Sequence, residues 1–168
     1  ARKADLAISY QPQLHLQVDS GLPLIRVATL ISTPLMTLLT LDEGRIKGLN
    51  DLKGRKIGYS VGGFEDVMLS TMFAPYGFGL SEVELVNVNF ALSPALISGR
   101  VDAVIGAYRN FELNQLDILG KKGRAFYVEE EGVPGYDELI IIANTSAFQT
   151  EKVTRFITGI EKGVQYLV

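Results

Sequence analysis

The chain has 168 residues, 47% of them hydrophobic, with a net charge of −3. That is enough apolar content for a filled core, and it excludes a disordered chain or a basic nucleic-acid tail. With no cysteine, a disulfide framework, a thiolate metal site and a cysteine nucleophile are excluded as well. No apolar run approaches the roughly 20 residues of a membrane-spanning helix. No stretch of the given residues reads as a signal peptide, and the opening on Ala1 rather than Met predicts a processed or trimmed product.

Residues 4–10 are mostly apolar, as in a strand buried on both faces of a parallel sheet. Gln11-Pro12 ends it, and 13–20 reads as a short helix stopped at Gly21. Strands follow over 24–31 and 35–41, then a polar segment, then a short helical turn over 50–55 stopped by Gly54. Residues 56–73 organise the rest. A strand (57–61) runs into Gly62-Gly63 and a helix whose Phe64, Met68, Leu69, Met72 and Phe73 share one face. This arrangement puts free backbone N–H groups at the carboxyl edge of a sheet, where open α/β sheets bind small ligands. Gly62 and Gly63 would let backbone approach a ligand, and Tyr59 and Phe64 would flank it with aromatic surface. A plain strand–helix turn is the alternative.

A loop over 75–81 precedes an alternating strand over 83–89. Ser93-Pro94 fits an N-cap and first helical turn, with Gly99 as the stop. Then come a buried strand (101–107), a helix (110–119), a strand (124–128), a turn (132–135) and an aliphatic strand (138–143). Thr150 would cap a final helix in which Val153, Phe156, Ile157, Ile160, Val164 and Leu167 keep helical spacing as far as Val168. The alternation predicts an α/β class with largely parallel sheets. Residues 3–9 and 100–106 repeat one pattern, a base, a small or apolar residue, Asp and a buried strand, with chance similarity as the alternative. Two related lobes are therefore expected. The second copy has a strand–helix–strand–helix unit ahead of it, so the first lobe is expected to lack an opening segment on the order of 45 to 60 residues. The unstopped last helix predicts trimming at that end too.

Four segments carry a resemblance: 4–11 with Ser9-Tyr10-Gln11, 49–59, 99–106, and 132–139, which reads Gly-Val-Pro-Gly-Tyr-Asp-Glu-Leu. They resemble the solute-binding proteins of ABC importers, and specifically the thiamine pyrimidine-precursor-binding branch (hydroxymethylpyrimidine or its formylamino relative). Segments 51–58 and 99–103 are shared with binding proteins for sulfonates and nitrate; Ser9-Tyr10-Gln11 and 132–139 point to the pyrimidine branch. The resemblance implies a type II periplasmic-binding-protein clamshell of two α/β lobes, closing on the ligand. Residues 1–38 and 142–168 would form lobe I, incomplete at its N-terminal part, and 42–138 lobe II, with hinge crossings near 38–42 and 138–142. It also implies an ABC permease as membrane partner, a periplasmic or membrane-anchored extracytoplasmic location, no cofactor and no catalysis.

A flat, neutral aminopyrimidine needs aromatic faces and a few oriented hydrogen-bond partners. The resemblance places contacts at Tyr10 and Gln11, a ring and an amide, with a core tyrosine as the alternative. Its acidic contact falls on Glu65, with Asp66 open, and helix-end electrostatics explains either. Tyr108 is the expected opposing wall, with Asn89, Asn110 and Glu112 beyond strand ends. Ser32 and Thr33 would line the cleft or cap a turn, and Tyr136 would serve hinge or pocket. His15 is read as structural or surface, and Glu129 to Glu131 as a solvated charged run. The competing functions are a sulfonate- or nitrate-binding protein, a pyrimidine-synthase-like enzyme and a ligand-sensing domain of LysR type. The synthases carry a Cys-rich motif that this chain lacks. An exposed sheet edge would favour self-association.

Overall fold

The computed structural model describes residues 4–167. Lys3, the base of the first repeat copy, and Val168, the expected helix end, lie outside the described residues. The strands are β1 (Leu6–Ser9), β2 (Leu24–Ile31), β3 (Met36–Leu41), β4 (Lys56–Tyr59), β5 (Glu84–Asn87), β6 (Ala103–Tyr108), β7 (Gly123–Tyr127) and β8 (Leu139–Asn144). The α-helices are α1 (Gln11–Asp19), α2 (Phe64–Phe73), α3 (Leu92–Ile97), α4 (Glu112–Ile118) and α5 (Thr150–Leu167). None of them is long and apolar enough to cross a membrane. The chain divides into two compact units, one running to Thr33 and resuming at Tyr136, the other Pro34–Gly135.

The first unit holds a three-stranded sheet in the order β1-β8-β2, antiparallel throughout. β8 is the middle strand, which accounts for its run of isoleucines: Ile140, Ile141 and Ile142 are all buried. Leu14 of α1 packs on Ile140 and Ile142. That helix begins at Gln11, two residues before the expected start, because Pro12 falls in the first turn, where no backbone N–H is needed. β1 corrects the expectation of a doubly buried parallel strand. It pairs on one side only, and Ala7 and Ile8 are exposed. α5 keeps its helical spacing, but Val153 is its one buried residue, while Phe156, Val164 and Leu167 are exposed.

The second unit holds a mixed five-stranded sheet in the order β5-β4-β6-β3-β7. β4 pairs parallel with β5 and β6, and β3 pairs antiparallel with β6 and β7. β4, β5, β6 and β7 therefore run one way, and β3 is inserted against them. The parallel expectation holds for the strands joined through α2 and α3, because a parallel return needs a crossover. It fails for β3 and for the first unit's sheet. β3 is bonded along its length to β6 and β7, so it lies wholly in the second unit. The chain accordingly passes between units at 33/34 and 135/136, earlier than the expected 38–42 and 138–142.

The apolar face of α2 is buried as its periodicity predicts, with Phe64, Met68, Leu69, Met72 and Phe73 at most 5% exposed. Phe73 stacks on Phe78 at 4.5 Å between ring centroids. A further core joins Leu39, Val88, Leu92, Leu96, Val104 and Leu116 beneath α3 and α4. α3 starts after Ala91 rather than at a Ser93 cap. Pro94 still lies in the first turn, and Ser93 is buried inside the helix with its hydroxyl lacking a hydrogen-bond partner among the described residues.

Candidate functional site

Because β4, β5 and β6 are parallel, their carboxyl ends lie along one edge of the second unit's sheet. Tyr59, Asn87 and Tyr108 end these strands, and the loops at 60–63, 88–91 and 109–111 rise from them. This is the edge at which open α/β sheets take small ligands. Gly62 and Gly63 are exposed in the middle loop. Gly63 sits at φ +97°, which a side chain would resist, and a Cβ built on it would meet nothing within 4 Å. The backbone of the turn is therefore open to an approaching group.

Glu65 does not present its carboxylate outward. It is 1% exposed, and Oε2 accepts from the backbone N–H groups of Ser60 (3.0 Å) and Val61 (3.2 Å), while Oε1 accepts from Ser60 Oγ (3.0 Å). Burial pushes its pKa up to about 7, against those hydrogen bonds, which pull it down. The carboxyl group fits because β6 carries Gly106 at φ +88°, where a Cβ would stand 2.5 Å from Glu65 Oε1. Gly106 is also the residue skipped in the β3–β6 register, where Thr37 faces Ala107 and Leu38 faces Ile105, so it is a bulge. Asp66, the other acidic candidate, accepts from Gly63 N–H at 3.3 Å and caps α2.

Phe64 corrects another expectation. Its ring is 1% exposed and belongs to the core, so it cannot flank a ligand at the surface. Tyr59 and Tyr108 are half-buried, and Asn89 and Asn110 are exposed. Glu112 is buried and Oε2 accepts from Tyr108 N–H at 2.6 Å, with burial raising its pKa. Glu65 and Glu112 thus do the same work, each tying down the loop that leaves a strand end. Glu129 is not merely solvated. Arg109 Nη2 donates to both its oxygens (2.7 and 2.9 Å), and the guanidinium lies 4.3 Å from the centroid of the Tyr127 ring. Gly106, Arg109 and Tyr127 were not singled out from the sequence, since each acquires its role through a residue far away in the chain; Ser60, whose partner Glu65 is five residues on, was missed because the turn of Glu65 toward it has no local signal.

In the first unit, Gln11 and Asp137 are joined twice. Gln11 Oε1 accepts from Asp137 N–H at 2.7 Å, and Gln11 N–H donates to the Asp137 carbonyl at 3.2 Å. Asp137 in turn accepts from Arg26 and from Thr29 Oγ1 (3.1 Å). The Gln11 amide oxygen is therefore committed to the fold, leaving its NH2 group for any other partner. Tyr10 is half-buried ahead of α1, Ser32 and Thr33 are exposed, and Tyr136 is buried with its hydroxyl donating to Glu138 Oε2 at 3.0 Å. His15 is exposed on α1.

Residues 1–168, the whole chain, match the family described as NMT1/THI5 like. The chain belongs to that family. Within it, a putative thiamine biosynthesis protein of Haemophilus influenzae is 54% identical over 99% of this chain and 53% of its own length. A formylaminopyrimidine-binding protein of Halalkalibacterium halodurans is 34% identical over 97% of this chain and 50% of its own. A 4-amino-5-hydroxymethyl-2-methylpyrimidine phosphate synthase of Saccharomyces cerevisiae is 26% identical over 88% of this chain and 47% of its own. The chain spans about half the length of the curated relatives it matches. Among solved structures, the periplasmic aliphatic sulphonate binding protein of Escherichia coli superposes with a TM-score of 0.67 at 19% identity, over 93% of this chain and 52% of that one. The α/β fold of this NMT1/THI5-like chain, with its mixed sheet, is the fold of periplasmic binding proteins.

Proposed function

We propose that the protein is the solute-binding component of an ABC importer, working outside the cytoplasm, and that its ligand is an aminopyrimidine precursor of thiamine. The observation that carries this reading is the 34% identity to a formylaminopyrimidine-binding protein over 97% of the chain. The chemistry of the second unit's carboxyl edge supports it. A small planar ring with exocyclic amino and ring nitrogen groups needs close backbone approach, amide partners and aromatic surface. Gly62 and Gly63 supply the first, Asn89 and Asn110 the second, Tyr59 and Tyr108 the third.

Of the arginines at this edge, Arg100 donates to the Asn87 carbonyl at 3.5 Å. Arg109 is spent on Glu129 and Tyr127, so a sulfonate or nitrate finds less there than a neutral heterocycle. The likeness to sulphonate-binding proteins, at 19% identity, carries the fold and not the ligand. Glu65 and Glu112 are held by backbone donors, which suits fixed loops better than proton transfer, so an enzyme is the weaker reading.

Calorimetric titration of the purified protein with hydroxymethylpyrimidine, formylaminopyrimidine, an alkanesulfonate and nitrate tests the assignment. The expected result is saturable binding of at least one pyrimidine, with the two anions inert. Tight binding of the sulfonate with none for either pyrimidine would remove it.

A further inference from the structure

Two phenylalanines on the second unit stand in water where the sequence offers no reason for them to. Phe90, in the loop after β5, is 81% exposed, and Phe111, in the loop after β6, is 61% exposed. Full burial of such a ring is worth roughly 1.5–3 kcal/mol, and a scattered exposed apolar residue needs no explanation. These two are not scattered. In the sheet order β5-β4-β6, the loop bearing Phe90 and the loop bearing Phe111 flank the Gly62-Gly63 turn on either side. With strands about 4.8 Å apart, the two loops start about 10 Å from one another, which is room for a flat ring and its contact distances on both faces.

The backbone is arranged to hold them there. Asn89 has φ +51°, the one positive φ outside glycine among the described residues, a conformation that Asn tolerates better than most residues. Its N–H donates to Asn87 Oδ1 at 2.8 Å, and the Ala91 N–H donates to the Val88 carbonyl at 3.1 Å, closing the turn around Phe90. Phe111 stands at the start of α4, with its N–H donating to the Tyr108 carbonyl at 3.1 Å. Between them lies the turn of Gly62 and Gly63, with the Tyr59 ring against Gly62, where a Cβ would stand 3.6 Å from Tyr59 Cε2.

We propose that Phe90 and Phe111 are the specificity-determining aromatic pair of the second unit, taking a planar heteroaromatic ring over the glycine turn. This rests on the pyrimidine reading for the identity of the ring, but the pair itself would recognise any flat heterocycle of that size. Tyr59 and Tyr108, half-buried and closer to the strands, then support the site from below.

The test is a titration of protein labelled with ring-13C phenylalanine, the two resonances being assigned through Phe90→Leu and Phe111→Leu. The probes are hydroxymethylpyrimidine, formylaminopyrimidine, adenine and, as a non-planar control, ethanesulfonate. Saturable ring-current shifts at both phenylalanines with a planar probe and none with ethanesulfonate support the proposal, and each leucine variant should then bind that probe about 2- to 12-fold more weakly. If adenine shifts the pair and neither pyrimidine does, the pair is upheld and the pyrimidine reading falls. If a pyrimidine binds while both resonances stay still, the pair is overturned and the pyrimidine reading stands. Silence with every probe overturns both.

Discussion

Glu65 is the residue whose chemistry is most sharply set by its surroundings. In the unfolded chain its pKa is near 4.5, and in the folded protein burial raises it to about 7. The folded state therefore holds the proton more tightly. Its contribution to stability is fully present below about pH 4.5 and is lost as pH rises through about 7, an amount of about 3 kcal/mol. In the protonated form Oε2 keeps both backbone donors while Oε1 donates to Ser60 Oγ, and a glutamine reproduces that pattern. The variant Glu65→Gln is expected to flatten the fall in stability between about pH 5.5 and about pH 7.5. Urea denaturation at the two pH values checks it, and an undiminished fall in the variant would contradict it. From the sequence, an acid at a helix start beside two glycines reads equally as a ligand contact. Its inward turn depends on Gly106, a residue that local pattern cannot connect to it. Phe64 was legible in part: its helical spacing with Met68 and Leu69 pointed to the core, while its place beside the glycine turn suggested a ligand flank, and burial decides for the core.

Among the elements, those written in local pattern are found where the sequence puts them. β2 spans Leu24–Ile31, where the sequence reads a strand, and α2 spans Phe64–Phe73, matching its 3.6-residue period. What the pattern could not carry was pairing. β3 reads as one more apolar strand, yet its antiparallel insertion between β6 and β7 is decided by partners far along the chain. The bulge at Gly106 is the joint of that arrangement, since it sets the β3–β6 register and makes space for Glu65. Gly106→Ala combines an unfavourable φ with a carboxylate oxygen 2.5 Å from the new Cβ, and is expected to cost roughly 3 kcal/mol. Chemical denaturation within about half a kcal/mol of wild type would show that the strand relaxes at no cost.

At the scale of the whole molecule, the two units differ in how well they are covered. The second buries Phe64, Met68, Leu69, Met72 and Phe73 of α2, whereas the first leaves Ile8 65% and Ile25 46% exposed on its edge strands β1 and β2. Unprotected edges of this kind pair with other chains. Sedimentation velocity is expected to show concentration-dependent association that Ile8→Lys reduces; a wild-type protein that stays monomeric at high concentration would contradict this. The composition foretold a filled core and the α/β alternation foretold the class, but exposure of an apolar strand is a property of what packs on it and is absent from its own letters.

We propose above all that the carboxyl edge of the second unit, at Gly62 and Gly63, takes an aminopyrimidine. A crystal structure of the protein with hydroxymethylpyrimidine tests it most directly. The ring is expected over Gly62 and Gly63, with its polar groups within hydrogen-bond distance of that turn or of Asn89 or Asn110. Density at the opposite end of the strands, in the 190 Å³ cavity lined by Thr40, Arg55 and Asp102, with the glycine turn vacant, would contradict it.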